Sequence, residues 1–115
     1  MGRGVANGYY GMLRVKQGRY PEAFEYLTRA EVCAAQLESD YEIGMIGRMF
    51  AQVAFQMQTD EKLKSVFGGY LNKGVNDYIR QAEQALEDVY SPVDREYLQQ
   101  LKQKKGEDEQ SPAKQ

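Results

Sequence analysis

The chain has 115 residues, 42% hydrophobic and 28% charged, which fits one soluble globular domain with a modest core and little to spare. A net charge of −2 and a pI near 5.2 give no basic footprint for nucleic acid, so no nucleic-acid partner is expected. With no histidine and a single cysteine, Cys33, the chain lacks the commonest general base and the commonest neutral metal ligand, and it can form neither an internal disulfide nor a multi-cysteine metal site.

No apolar run approaches the roughly 20 residues that span a bilayer. The start, Met1-Gly2-Arg3-Gly4-Val5-Ala6, has no signal-peptide core, and Ala6 stands where a myristoylation motif wants Ser or Thr. The expectation is a cytoplasmic protein, or a piece of one, without a membrane partner.

In chain order, Tyr9, Tyr10 and Leu13 recur at helical intervals and predict a first helix over 5–17. Gly8 and Gly11 weaken it by about 1 kcal/mol each, so they imply close approach of a neighbouring helix. Gly18 supplies a helix stop. Pro21 suits the first turn of the next helix, and Glu22 suits its positive end. Phe24, Leu27, Ala30, Ala34 and Leu37 carry that helix to about residue 37 as one apolar stripe. The two form a hairpin with a very short connection.

Ser39 or Asp40 caps a third helix over 41–58, with Ile43, Ile46, Met49, Phe50, Val53 and Met57 at three- and four-residue steps. Gly44 and Gly47 thin one of its sides. Thr59-Asp60 caps a short helix to residue 67, and Gly68-Gly69 breaks the chain. A helix is predicted over 70–89 and a last one over 92–104, begun by Ser91-Pro92-Val93-Asp94 and striped by Val93, Tyr97, Leu98 and Leu101. From Lys105 to Gln115 no large apolar residue remains, and a disordered polar tail is expected. The fold class is all-α, with a helical domain over 1–104 and a tail over 105–115.

Lys16-Gln17-Gly18-Arg19-Tyr20-Pro21-Glu22-Ala23 resembles the turn of the tetratricopeptide repeat, a helix–turn–helix unit of about 34 residues. Gly11, Ala23 and Ala30 fall on its small positions, and Tyr10, Tyr20 and Leu27 on its large ones. The resemblance covers 4–37 and departs from the pattern at Asn7 and Arg14, where aromatic residues are typical. A second unit threads over 41–70 with Ala51 on the small position and Gln58 and Asp60 replacing the turn Gly and Tyr. The resemblance implies antiparallel hairpins stacked as a short α-solenoid or an irregular bundle. Because such hairpins need neighbours to bury their faces, a longer array or a homo-oligomer is expected.

What the resemblance implies for function is non-enzymatic capture of a protein or peptide in a groove lined by first helices. On matching positions that groove presents Val5, Gly8, Met12, Val15 and Lys16, then Met45, Arg48, Gln52 and Phe55. Methionines adapt to apolar partners, while Lys16 and Arg48 suit a carboxylate. The alternative is a sensor or regulatory fragment of a larger bacterial peptide-responsive regulator. No cofactor or metal is expected: Gly69–Gly74 lacks the Lys-Ser/Thr of a phosphate loop, and Glu83, Glu87 and Asp88 suit a solvated face.

Overall fold

The computed structural model describes residues 3–110, and within them the chain is all-α: six helices and no strand. Helix α1 (Arg3–Lys16) and α2 (Tyr20–Leu37) form the expected hairpin. Gly18 adopts φ +76, and the Arg19 N–H donates to the Arg14 carbonyl at 2.9 Å, closing the helix end with a left-handed residue. At the far end of α2, Glu38 takes the same left-handed conformation (φ 51) without being glycine.

Ser39 caps α3 (Asp40–Met57) by accepting from the Glu42 N–H, and Asp60 caps α4 (Glu61–Phe67) by accepting from the Leu63 N–H at 3.0 Å. Helix α5 is shorter than 70–89: it runs Val75–Ala85. Backbone N–H groups of Tyr70 and Leu71 turn back onto the Phe67 carbonyl, so the break at Gly68-Gly69 extends to Gly74. At its other end, the Arg95 guanidinium gathers the carbonyls of Leu86, Glu87 and Val89, satisfying groups a continuing helix would have used.

Helix α6 (Pro92–Gln110) begins at the predicted proline but continues into the stretch where the polar tail was expected, and 111–115 lie outside the described residues. Ser91 stands just before it, its carbonyl accepting from Arg95 N–H while its hydroxyl donates to Asp94.

Packing departs from the threading over 41–70. The most extensive helix contacts are α1 with α2 and α3 with α5, whereas α4 touches α3 and α2 only lightly. The second hairpin is therefore α3/α5, with α4 set into its connection. Glycines make both hairpins close. A β-carbon on Gly11 would fall 2.6 Å from Leu27 Cγ, and one on Gly44 would fall 2.4 Å from Leu86 Cγ. Leu27, Met45, Met49, Leu63, Phe67 and Leu86 are fully enclosed in one core cluster that all six helices feed.

Candidate interaction surface

Helices α1, α3 and α6 bound a concave channel. At one end Tyr9, Met12, Leu13 and Lys16 of α1 face Arg48 and Gln52 of α3, and Val93 and Tyr97 of α6, around a hollow of about 290 Å³. Next to it, a second hollow of about 350 Å³ is lined by Met12, Val15, Lys16, Gln52, Phe55, Thr59 and Lys104. Met12, Lys16 and Gln52 belong to both, so the two hollows adjoin along one face of the channel.

Five of the expected groove residues are brought together here: Met12, Val15, Lys16, Gln52 and Phe55. Arg48 lies in the wall, but its charge is already engaged. Its Nε donates to Asp94 at 2.9 Å, a second nitrogen donates to Gln52 at 2.8 Å, and its guanidinium stands 4.3 Å from the Tyr97 ring centroid. It is buried, so it holds a carboxylate of its own chain. Met45 is fully enclosed in the core, and Val5, also buried, lines neither hollow. Gly8 sits where α1 crosses α3, a β-carbon there falling 3.0 Å from Met49 Sδ.

The channel contains residues that periodicity alone assigns to a core. Tyr9, Leu13, Val93 and Tyr97 lie on helical stripes, yet Tyr9 is 49% and Val93 57% exposed, and Leu13 and Tyr97 are also exposed. In α6 only Leu98 and Leu101 of the expected stripe are buried. Val93 and Tyr97 occupy the adjoining flank, which faces α1 across the channel. Tyr41 of α3 is exposed as well, and partial burial first, then Tyr9 and Asp94, raise its phenol above the ordinary value. The signal available in the sequence was the abundance of tyrosine, nine in 115 residues. A tyrosine suits a surface where one end is apolar and the other wet.

The charges are arranged unevenly. Lys16 and Lys104 flank the second hollow, and neither belongs to an ion pair among the described residues. The first hollow shares Lys16, but its other cation, Arg48, is paired with Asp94, and tyrosines and aliphatic side chains make up much of its wall. Glu83, from the carboxylate group near the end of α5, pairs with Lys102 of α6. No group of three or more metal-ligating His, Cys, Asp or Glu side chains occurs among the described residues, and no helix there is long and apolar enough to cross a membrane. Cys33 is partly exposed rather than enclosed.

Comparison with family models, with curated proteins and with solved structures returns no match for the chain.

Proposed function

We propose that the chain is a non-catalytic protein- or peptide-binding module of the helical-repeat kind, and that the α1/α3/α6 channel is its binding surface. The observation that carries this reading is the gathering of Tyr9, Leu13, Val93 and Tyr97, all exposed large side chains, about one concavity. Large side chains left in water on two helices that face each other across a concavity are what a docking partner would cover, which supports the reading. Tyrosine is also among the residues that dominate binding energy at interfaces.

The repeat-like arrangement supports the reading too. The two close hairpins each place glycine against leucine, and Gly44 and Gly47 follow Gly8 and Gly11 at a spacing of 36 residues. The partner's apolar side chains enter between Tyr9 and Tyr97 and over Met12 and Phe55. An acidic side chain or carboxylate lies at the Lys16/Lys104 end, which sets the direction of the bound segment.

Selection of peptides displayed at random against the intact chain tests this. Enriched sequences should combine an aromatic or aliphatic anchor with an acidic residue. Met12→Glu combined with Phe55→Glu should weaken their binding at least tenfold, while circular dichroism reports an unchanged helical content. Enriched peptides that bind the double variant as tightly as the native chain would remove the channel from consideration.

A further inference from the structure

The other side of α3 carries a second, different concavity. Residues 43, 47 and 50 point roughly half a turn away from residues 41, 48 and 52 at 100° per residue. There α2 and α5 each pack on α3 without packing extensively on one another. The small residues Ala34, Ala35 and Gly47 leave a cleft of about 260 Å³ between them, with Ile43, Phe50 and Tyr78 as its bulky walls. Phe50 and Tyr78 are buried and meet edge to face, ring centroids 6.3 Å apart, so those walls are fixed.

Glu31 is the one charged side chain among the residues lining this cleft. It forms no ion pair and no hydrogen bond among the described residues, and Lys73 acts on it only through space. Burial raises its carboxyl above the ordinary value, and Lys73 draws it part of the way back. A partly desolvated carboxylate beside two aromatic rings is costly to leave alone.

We propose that this cleft binds a small organic ammonium ion, its apolar body held between Ile43, Phe50 and Tyr78 and its charge on the Glu31 carboxylate. The chemistry selects this class over its neighbours. An ammonium brings up to three donors to a carboxylate that no protein donor reaches among the described residues, and the resulting bonds are charge-assisted. Aromatic walls attract the same cation electrostatically. An anion meets repulsion from Glu31, and a neutral ligand leaves the carboxylate without a partner. Size narrows the choice further: a cavity of roughly 150 Å³ holds a benzene ring. The cleft's 260 Å³ therefore accommodates one ring with a short ammonium-bearing arm.

The test is a titration of the intact chain with 2-phenylethylammonium, followed by the aromatic NMR signals of Phe50 and Tyr78. 2-Phenylethanol and 3-phenylpropanoate serve as neutral and anionic counterparts at the same ionic strength. The ammonium should give saturable shifts below roughly 10 mM, the alcohol should bind about tenfold more weakly, and the carboxylate should not saturate. Glu31→Gln should reduce ammonium binding to the level of the alcohol. Ala35→Phe, which fills the cleft from an exposed position, should abolish binding of both. Equal binding of ammonium and alcohol by the native chain overturns the proposal without any variant, as does the absence of saturable shifts. The cleft shares no residue with the α1/α3/α6 channel, so Met12→Glu with Phe55→Glu should leave this titration unchanged, and failure at one site does not imply failure at the other.

Discussion

Gly44 and Gly47 set how near α5 can come to α3. A β-carbon on Gly44 would lie 2.4 Å from Leu86 Cγ, and one on Gly47 would lie 3.1 Å from Ala82 Cβ. Each glycine costs a helix interior about 1 kcal/mol relative to alanine, and close packing, against fully buried Leu86 at Gly44 and against Ala82 at Gly47, offsets that cost. Gly44→Ala therefore sets two effects in opposition. The gain in helix propensity is about 1 kcal/mol, while overpacking an enclosed Leu86 costs about 1–3 kcal/mol. A net loss of about 1 kcal/mol is expected from urea unfolding. Gly69→Ala, with nothing within 4 Å of the new carbon, should stay within about 0.5 kcal/mol of the native chain. A Gly44→Ala variant as stable as the native chain would show that backbone approach does not position this hairpin. The glycines' role was legible in the sequence, since two in one helix imply a close neighbour. Which neighbour was not legible, because spacing along one helix names a face and no partner.

At the scale of whole helices, α6 is docked by its buried Leu98 and Leu101 and by one buried ion pair. Arg48 and Asp94 are 46 residues apart in sequence and meet at 2.9 Å, both almost wholly enclosed. The repeat resemblance implies Arg48 as a groove cation, and local pattern puts Asp94 only at the start of the last helix. Their contact depends on how α6 returns across α3, which local pattern does not encode. The same limit explains α5. Its apolar spacing extends over 70–89, but Gly74 and the Arg95 contacts with three carbonyls cut the helix to 75–85. Asp94→Ala leaves a buried guanidinium without its carboxylate and should destabilise the chain by about 3–5 kcal/mol. Adding Arg48→Met, of similar length and uncharged, should recover most of that loss. Chemical denaturation of the four members of the cycle gives the coupling energy, and hydrogen exchange of α6 amides shows whether the helix has come away. A double variant no more stable than Asp94→Ala would mean that packing, not the charge left behind, accounts for the loss.

For the molecule as a whole, a stack of two hairpins raises the question of what closes it. Repeat arrays are approximately sums of units and nearest-neighbour interfaces, so their ends can open separately. Here the hairpins are tied across their seam. Phe24 of α2 meets Phe67 of α4 edge to face at 5.3 Å, the Tyr20 hydroxyl donates to Asp60 at 2.6 Å, and Leu98 and Leu101 of α6 join the common core. An undivided core predicts one cooperative transition for a chain of this size. Leu27→Ala empties space in the α1/α2 hairpin and Leu86→Ala does so in α3/α5; each should cost about 2–5 kcal/mol. Under a single transition, either substitution lowers the denaturation midpoint seen by circular dichroism and by tyrosine fluorescence together. It should also speed exchange of the slowest amides in both hairpins. If Leu86→Ala instead gave two separated transitions, with the α1/α2 amides still protected after the first, the hairpins would be independent units and the seam contacts too weak to couple them. One transition would mean that the channel and the cleft, on opposite sides of α3, share a single folding equilibrium, so a ligand that binds only the folded chain at either place raises the stability of both.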